Sequence, residues 1–189
     1  MSKLHRILLI VCSYAVSSYA ETPSSIDSFI VHENGGKPVR IRVTDYPVTV
    51  VIFISAVCPM SIDYSTRITA LGKDYSSDRT RLLVVNSNYN ETDKQISEQR
   101  RRSGLSVPIF RDPLGGLATL LQVYSTPTAV VLDQNGVVRY WGAIDDARNP
   151  ERVTRSHLRL AVQAILAGQT VERSRTRVMG CTIKRQSAP

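Results

Sequence analysis

Cysteine, histidine and tryptophan are scarce in this chain: three, three and one among 189 residues. Cys12, Cys58 and Cys181 lie far apart, which excludes both a Cys-x-x-Cys pair and a disulfide-rich framework. His32 and His157 stand alone, and no Cys/His spacing matches a metal site. No metal and no resident cofactor are expected. Aromatic residues make up 6% of the chain, and no basic stripe is interleaved with them. The formal net charge of +8 therefore argues for solubility rather than for nucleic acid as a partner. No internal repeat is visible.

The first apolar run, residues 7–16, is too short for a comfortable transmembrane helix. Lys3, His5 and Arg6 precede it, and Ser18-Tyr19-Ala20 follows with small residues where a peptidase would cut. That is the anatomy of a secretory signal peptide, with cleavage after Ala20. Residues 1–20 are thus expected to be lost, leaving a secreted or periplasmic chain without a stable membrane span. Loss of Lys3 and Arg6 would take the charge from +8 to +6, and Cys58 and Cys181 would remain in an oxidising compartment.

The mature length suits one domain plus terminal extras. Residues 26–30 and 39–43, separated by Asn34-Gly-Gly36, read as a short strand pair. Residues 48–54 are β-branched or aromatic at every position, the pattern of a central strand covered on both faces. A helix to Gly72, a strand at 81–86 and a polar helix from Asn90-Glu-Thr-Asp93 to Arg102 follow. The triple arginine 100–102 suits a solvated helix end that complements the dipole. Residues 107–110 read as a short strand, and 112–123 as another helical segment. Two strands, 129–132 and 137–141, flank Asn135-Gly136, a strong hairpin signal. Asp145-Asp146 reads as a solvated loop before a last amphipathic helix over 150–167, which Gly168 ends. Strand–helix alternation of this kind gives an α/β domain over 21–168. Residues 169–189 turn polar and basic and are expected to form an extended tail carrying Cys181.

The chemistry concentrates at Cys58. It ends the buried strand and is followed by Pro59, a residue favoured at the first helical position because its missing N–H would be unpaired there anyway. A sulfur at a helix N-terminus is stabilised as thiolate, the nucleophilic form. A lone cysteine is more often a buried structural residue, but its place at a strand-to-helix junction favours function.

Ser55-Ala-Val-Cys58-Pro-Met-Ser61 after a hydrophobic strand, with Thr126-Pro127 downstream, resembles the thioredoxin superfamily, in particular its redoxin/AhpC-TSA-like branch. The resemblance covers about 120 residues. It implies a thioredoxin-like fold, a central mixed β-sheet flanked by helices, with a short N-terminal β extension. It implies a cis Pro127 beside the active cysteine, with Thr126 offering backbone groups to an incoming disulfide or peptide. It also implies a thiol–disulfide oxidoreductase using Cys58 as nucleophile, with a protein or small-molecule disulfide or thiol as substrate and an external reductant.

This chain departs from the dithiol pattern at Ser61, which cannot form the disulfide and is left to hydrogen-bond the thiolate or cap the helix. A mixed disulfide at Cys58 must then be resolved by another thiol. Cys181 is the other mature thiol and could resolve Cys58, pair with it structurally or link to another chain. A thiol peroxidase of the AhpC/TSA type is the alternative enzyme. Ser55 matches that pattern three residues before the cysteine. Val51 stands where those enzymes have proline, and Pro127 where they have the arginine that stabilises the departing oxygen. A non-catalytic thioredoxin-fold binding module is the remaining alternative.

Overall fold

The computed structural model describes residues 25–186; the expected signal peptide lies outside them. The chain begins with a hairpin, β1 (Ser28–His32) against β2 (Pro38–Arg42), paired antiparallel as the Asn34-Gly-Gly36 turn predicts. Strand β3 (Val48–Ile54) follows, and all seven of its residues are buried. It runs parallel to β4 (Thr80–Asn86), which runs parallel to β5 (Ile109–Arg111). On its other edge β3 pairs antiparallel with β7 (Thr128–Asp133), which continues into β8 (Val138–Gly142) through the Asn-Gly turn. The order β2-β1-β5-β4-β3-β7-β8 makes a mixed sheet with β3 near its centre.

The alternating side chains of β3 enter two different cores. Val48, Val50, Ile52 and Ile54 point to the layer holding Ile68, Leu71, Leu158, Ala161 and Val162. Val51 and Phe53 point to the layer holding Phe29, Leu117, Leu121 and Ile183. Helices α2 (Ser65–Asp74), α3 (Asp93–Arg102) and α5 (His157–Leu166) contribute to the first layer and α4 (Gly116–Leu120) to the second. A single turn and a half, α1 (Pro59–Asp63), leads from Cys58 into α2. Thr92 and Gln95 form a reciprocal capping box at the start of α3, satisfying two otherwise orphan N–H groups. This is a thioredoxin-like fold.

The last helix starts later than its apolar spacing predicts. Asn149 caps a short 3₁₀ turn, Pro150–Arg152, by accepting from the Glu151 N–H. Thr154 is then held by the Asp146 side chain through its N–H and hydroxyl, so the helical path is interrupted until His157.

Candidate functional site

Strand β3 ends in a loop that delivers Cys58 to the mouth of α1. Cys58 is the N-cap residue of α1, with Pro59 at its first position, and its carbonyl accepts from the Ile62 N–H at 3.0 Å. The residue is only 1% exposed. Its sulfur lies 3.4 Å from the carbonyl oxygen of Thr126, and the Thr126–Pro127 peptide bond is cis. Ser61, also buried, accepts from the Ser55 N–H at 3.1 Å, closing the loop on itself.

That loop is anchored by a residue that motif reasoning passes over. The buried Glu91 carboxylate accepts from the Ser55 hydroxyl at 2.6 Å, the Ala56 N–H at 2.6 Å and the Asn86 amide at 2.8 Å. Ser55 thus belongs to a scaffold around the cysteine loop. A buried carboxylate with three donors is well satisfied. The available signal for Glu91 is topological: Asn86 pairs with Ile54 at the ends of parallel neighbours, so the turns that follow them lie side by side.

The second sulfur arrives from the other end of the chain. Cys181 is bonded to Cys58 with Cα atoms 5.9 Å apart, inside the range disulfide geometry requires. The segment expected as an extended tail is extended, but it is tied down as a strap. Trp141 donates its N–H to Ser174 O at 2.8 Å, and Thr176 donates its N–H to Trp141 O at 3.1 Å. The Thr176 hydroxyl accepts from the Ala143 N–H at 3.0 Å and pairs with the Tyr140 hydroxyl at 2.8 Å. Strand β9 (Cys181–Thr182) then pairs antiparallel with β6 (Ser125–Thr126), the two residues before the cis proline. Beyond it, Ile183 donates to Tyr124 O, and Lys184 bonds both Asn88 Oδ1 and the Tyr89 N–H. Ile183 is 4% exposed, and Arg185 reaches Val123 O while covering the Tyr124 ring. Gly180 is required by contact: a Cβ there would collide with the Thr126 carbonyl. The Thr126 carbonyl therefore faces both the Cys58 sulfur and Gly180 of the strap, while Ser125 and Thr126 pair with β9.

Asp145, expected in a solvated loop, is buried. Arg67 donates to both of its oxygens, at 2.9 and 2.7 Å, and the Tyr64 hydroxyl donates at 2.7 Å. Burial, with the adjacent Asp145 carboxylate adding to it, pushes the Tyr64 hydroxyl well above the usual phenol range. This cluster fastens the 143–148 loop to the helices that follow Cys58. Asp146 does remain at the surface. Among the described residues, no group of three or more His, Cys, Asp or Glu side chains could hold a metal ion, and no helix is long and apolar enough to cross a membrane.

The sequence matches the AhpC/TSA family over residues 24–141. Among solved structures, the chain is similar to a hypothetical protein from Sinorhizobium meliloti at a TM-score of 0.77 and 26% identity, covering 90% of this chain and 98% of that one. An uncharacterized conserved protein from Geobacillus kaustophilus follows at 0.76 and 23%, covering 90% and 96%. A secreted disulfide oxidoreductase from Mycobacterium tuberculosis shares the fold at 0.53 and 14%, covering 72% and 95%. No curated protein matches the chain by sequence.

Proposed function

The chain belongs to the AhpC/TSA family of the thioredoxin-like superfamily, and from that premise we propose that it is a thiol–disulfide oxidoreductase with Cys58 as nucleophile and Cys181 as resolving thiol. The observation that carries this reading is the Cys58–Cys181 disulfide lying against the cis Thr126–Pro127 bond. In the reduced protein, the Cys58 thiolate attacks one sulfur of a substrate disulfide. The other substrate sulfur departs as thiolate, and a mixed disulfide remains on Cys58. The Cys181 thiolate then attacks the Cys58 sulfur, forms the internal disulfide and releases the second substrate thiol. An external dithiol returns two electrons. Ser61 cannot replace Cys181 in this cycle, and its hydroxyl already serves the Ser55 N–H. Pro59, Ser55 and Glu91 hold the Cys58 loop in place, while Thr126 and Pro127 form the wall against which a substrate aligns.

In this reading the catalytic domain lies within residues 21–168, and the strap that brings the resolving thiol lies within 169–189. Removal of residues 1–20 would place the protein outside the cytoplasm, where its substrates are protein or small-molecule disulfides. The test is disulfide exchange by the purified protein against a disulfide-containing polypeptide. Cys58→Ser is expected to bring the rate to background, and an unchanged rate overturns the proposal. Membership of the AhpC/TSA family favours a second reading, a thiol peroxidase in which peroxide oxidises Cys58 and Cys181 condenses with the sulfenic acid. Peroxide consumption with a dithiol reductant separates the two. A rate no faster than free cysteine rejects the peroxidase.

A further inference from the structure

We propose that electrons enter this protein at Cys181, delivered by a dithiol polypeptide with an acidic docking face that an arginine-lined cleft beside the disulfide receives. The inference rests on the reading that this disulfide turns over, and extends it to the donor. The two sulfurs are not equivalent. Cys58 is 1% exposed and its sulfur lies against Thr126 O, whereas Cys181 is only partly buried and follows the exposed Gly180 and Met179. Thiol–disulfide exchange depends on which sulfur can be reached and on which thiolate can leave. The first condition favours attack on Cys181, and Cys58, the N-cap of α1, is then the leaving group.

The charge around that approach is mainly positive. A cleft of about 420 Å³ opens beside the site, walled by Met60, Pro127 and Met179, two residues from Cys58, one from Thr126 and two from Cys181. Four arginines line it, 148, 173, 175 and 177, against Asp145 and Asp146. Asp145 is already committed to Arg67, and the Asp146 side chain is held by Thr154. Arg148 pairs with Asp63, and Arg175 stacks over Trp141. Arg173 and Arg177 have no carboxylate within ion-pair distance among the described residues. Both are exposed, on the strap segment that leads to Cys181. Unmatched cations around a reactive centre raise the association rate of anionic partners. Exposed Met179 and Val57, at 59% and 62%, give a polypeptide apolar contact that a small thiol does not need.

The step balances with the donor as reductant. One donor thiolate attacks the Cys181 sulfur; a donor–Cys181 bond forms, the Cys58–Cys181 bond breaks, and Cys58 leaves with the electron pair. The second donor thiolate attacks the donor sulfur of that mixed disulfide and Cys181 leaves. The donor ends as a disulfide, and the protein has gained two electrons and two protons. The strap is then no longer tethered to Cys58.

The test uses two synthetic dithiol peptides, Cys-Gly-Pro-Cys flanked by glutamates or by lysines. Each rate is normalised to that peptide's rate on the neutral hydroxyethyl disulfide. Reduction of the oxidised protein is followed through Trp141, the one tryptophan of the chain, against which Arg175 of the strap packs, and checked by thiol trapping. The acidic peptide is expected to react faster by roughly tenfold or more at low salt, and the ratio should collapse at about 0.5 M salt, where screening is strong. The double variant R173E/R177E should lower or invert the ratio, which, being internal to each variant, is insensitive to its overall fold. A single-cysteine acidic peptide should be trapped on Cys181. Trapping on Cys58, or a ratio of one or below in the unaltered protein, overturns the proposal. If the disulfide is reduced at Cys181 with acidic preference but the protein then exchanges no substrate disulfide, the oxidoreductase reading fails while the donor site stands.

Discussion

The two sulfurs sit on regions built in opposite ways. Cys58 follows β3 after three loop residues and caps α1; the seven residues of β3 are all buried and its backbone is laddered on both sides. Cys181 sits on a strap whose regular structure is two residues long. Its described side chains from 172 onward are mostly exposed, with Ile183 alone fully inserted in the core. The strap is held by backbone and side-chain hydrogen bonds, by two arginine–ring contacts, by that isoleucine and by the disulfide. The first region is fixed by the same burial that folds the domain. The second is attached by surface contacts and by one side chain, Ile183, that enters the core. A rigid nucleophile and a releasable resolving thiol are what a two-step exchange requires, since Cys181 must leave Cys58 before a substrate can reach it.

The largest expected effect tests the tether itself. Cys181→Ser opens a covalent loop that spans 123 residues of sequence. The chain-entropy account assigns such a loop about 4–5 kcal/mol. Denaturant unfolding of the oxidised protein should show a loss of that order, and dithiothreitol should abolish the difference between variant and parent. Equal stability under oxidising conditions would mean that the strap is held without its disulfide, and the contrast between the regions would fall.

Paired core truncations sharpen the contrast next. Val51 and Ile183 lie in the same buried cluster, one on β3 and one on the strap. Ile183→Ala should cost about 2–5 kcal/mol, the range for truncating a buried aliphatic, if the strap were part of the cooperative fold. With Cys181 reduced, we expect Val51→Ala to lower the thermal midpoint while Ile183→Ala hardly moves it. The loss at Ile183 should appear instead as faster hydrogen exchange at Trp141 and Thr176, whose N–H groups bond across the strap junction. Equal shifts from both variants would place the strap in the global folding unit.

A smaller effect is confined to closure. In Gly180→Ala the new Cβ meets the Thr126 carbonyl, so β9 must move off β6. The reduced variant should be about as stable as the parent and reoxidise more slowly, as followed by thiol trapping. Unaltered reoxidation would show that β9 need not dock for Cys181 to reach Cys58.

What the sequence made legible follows the same division. The buried strand, the Cys-Pro junction, the N-terminal hairpin and the Asn-Gly turn are local patterns, readable from neighbours a few positions away. The thioredoxin-like fold follows from their order. The strap was not legible. Its residues are polar and basic like those of an unstructured tail, and its partners, Tyr124, Trp141 and Asn88, lie far back along the chain. Glu91 and Asp145 were obscure for the same reason. The first reads as helix-start chemistry and the second as half of a surface acidic pair. Each is defined by donors supplied from other elements, Ser55 and Asn86 for Glu91, Arg67 and Tyr64 for Asp145.

The smallest effect asks whether the strap changes its surroundings when it leaves. Tyr75 and Tyr140 both have hydroxyls pushed up to about 12, in each case first by burial. Only Tyr140 touches the strap, through the Thr176 hydroxyl. A raised phenol pKa stabilises the fold below the ordinary value near 10, and that contribution is lost as pH rises from there through about 12. Freeing the strap in Cys181→Ser admits water to Tyr140 and leaves Tyr75 as it was. The lost Thr176 hydrogen bond, which lowers the Tyr140 pKa, works the other way, but burial is the larger cause. Tyrosinate absorbance, assigned with Tyr75→Phe and Tyr140→Phe, should therefore show Tyr140 titrating closer to 10 in Cys181→Ser than in the oxidised parent, with Tyr75 unchanged. A Tyr140 titration identical in the two proteins would show that the strap stays docked without its disulfide, the outcome most damaging to a releasable resolving arm.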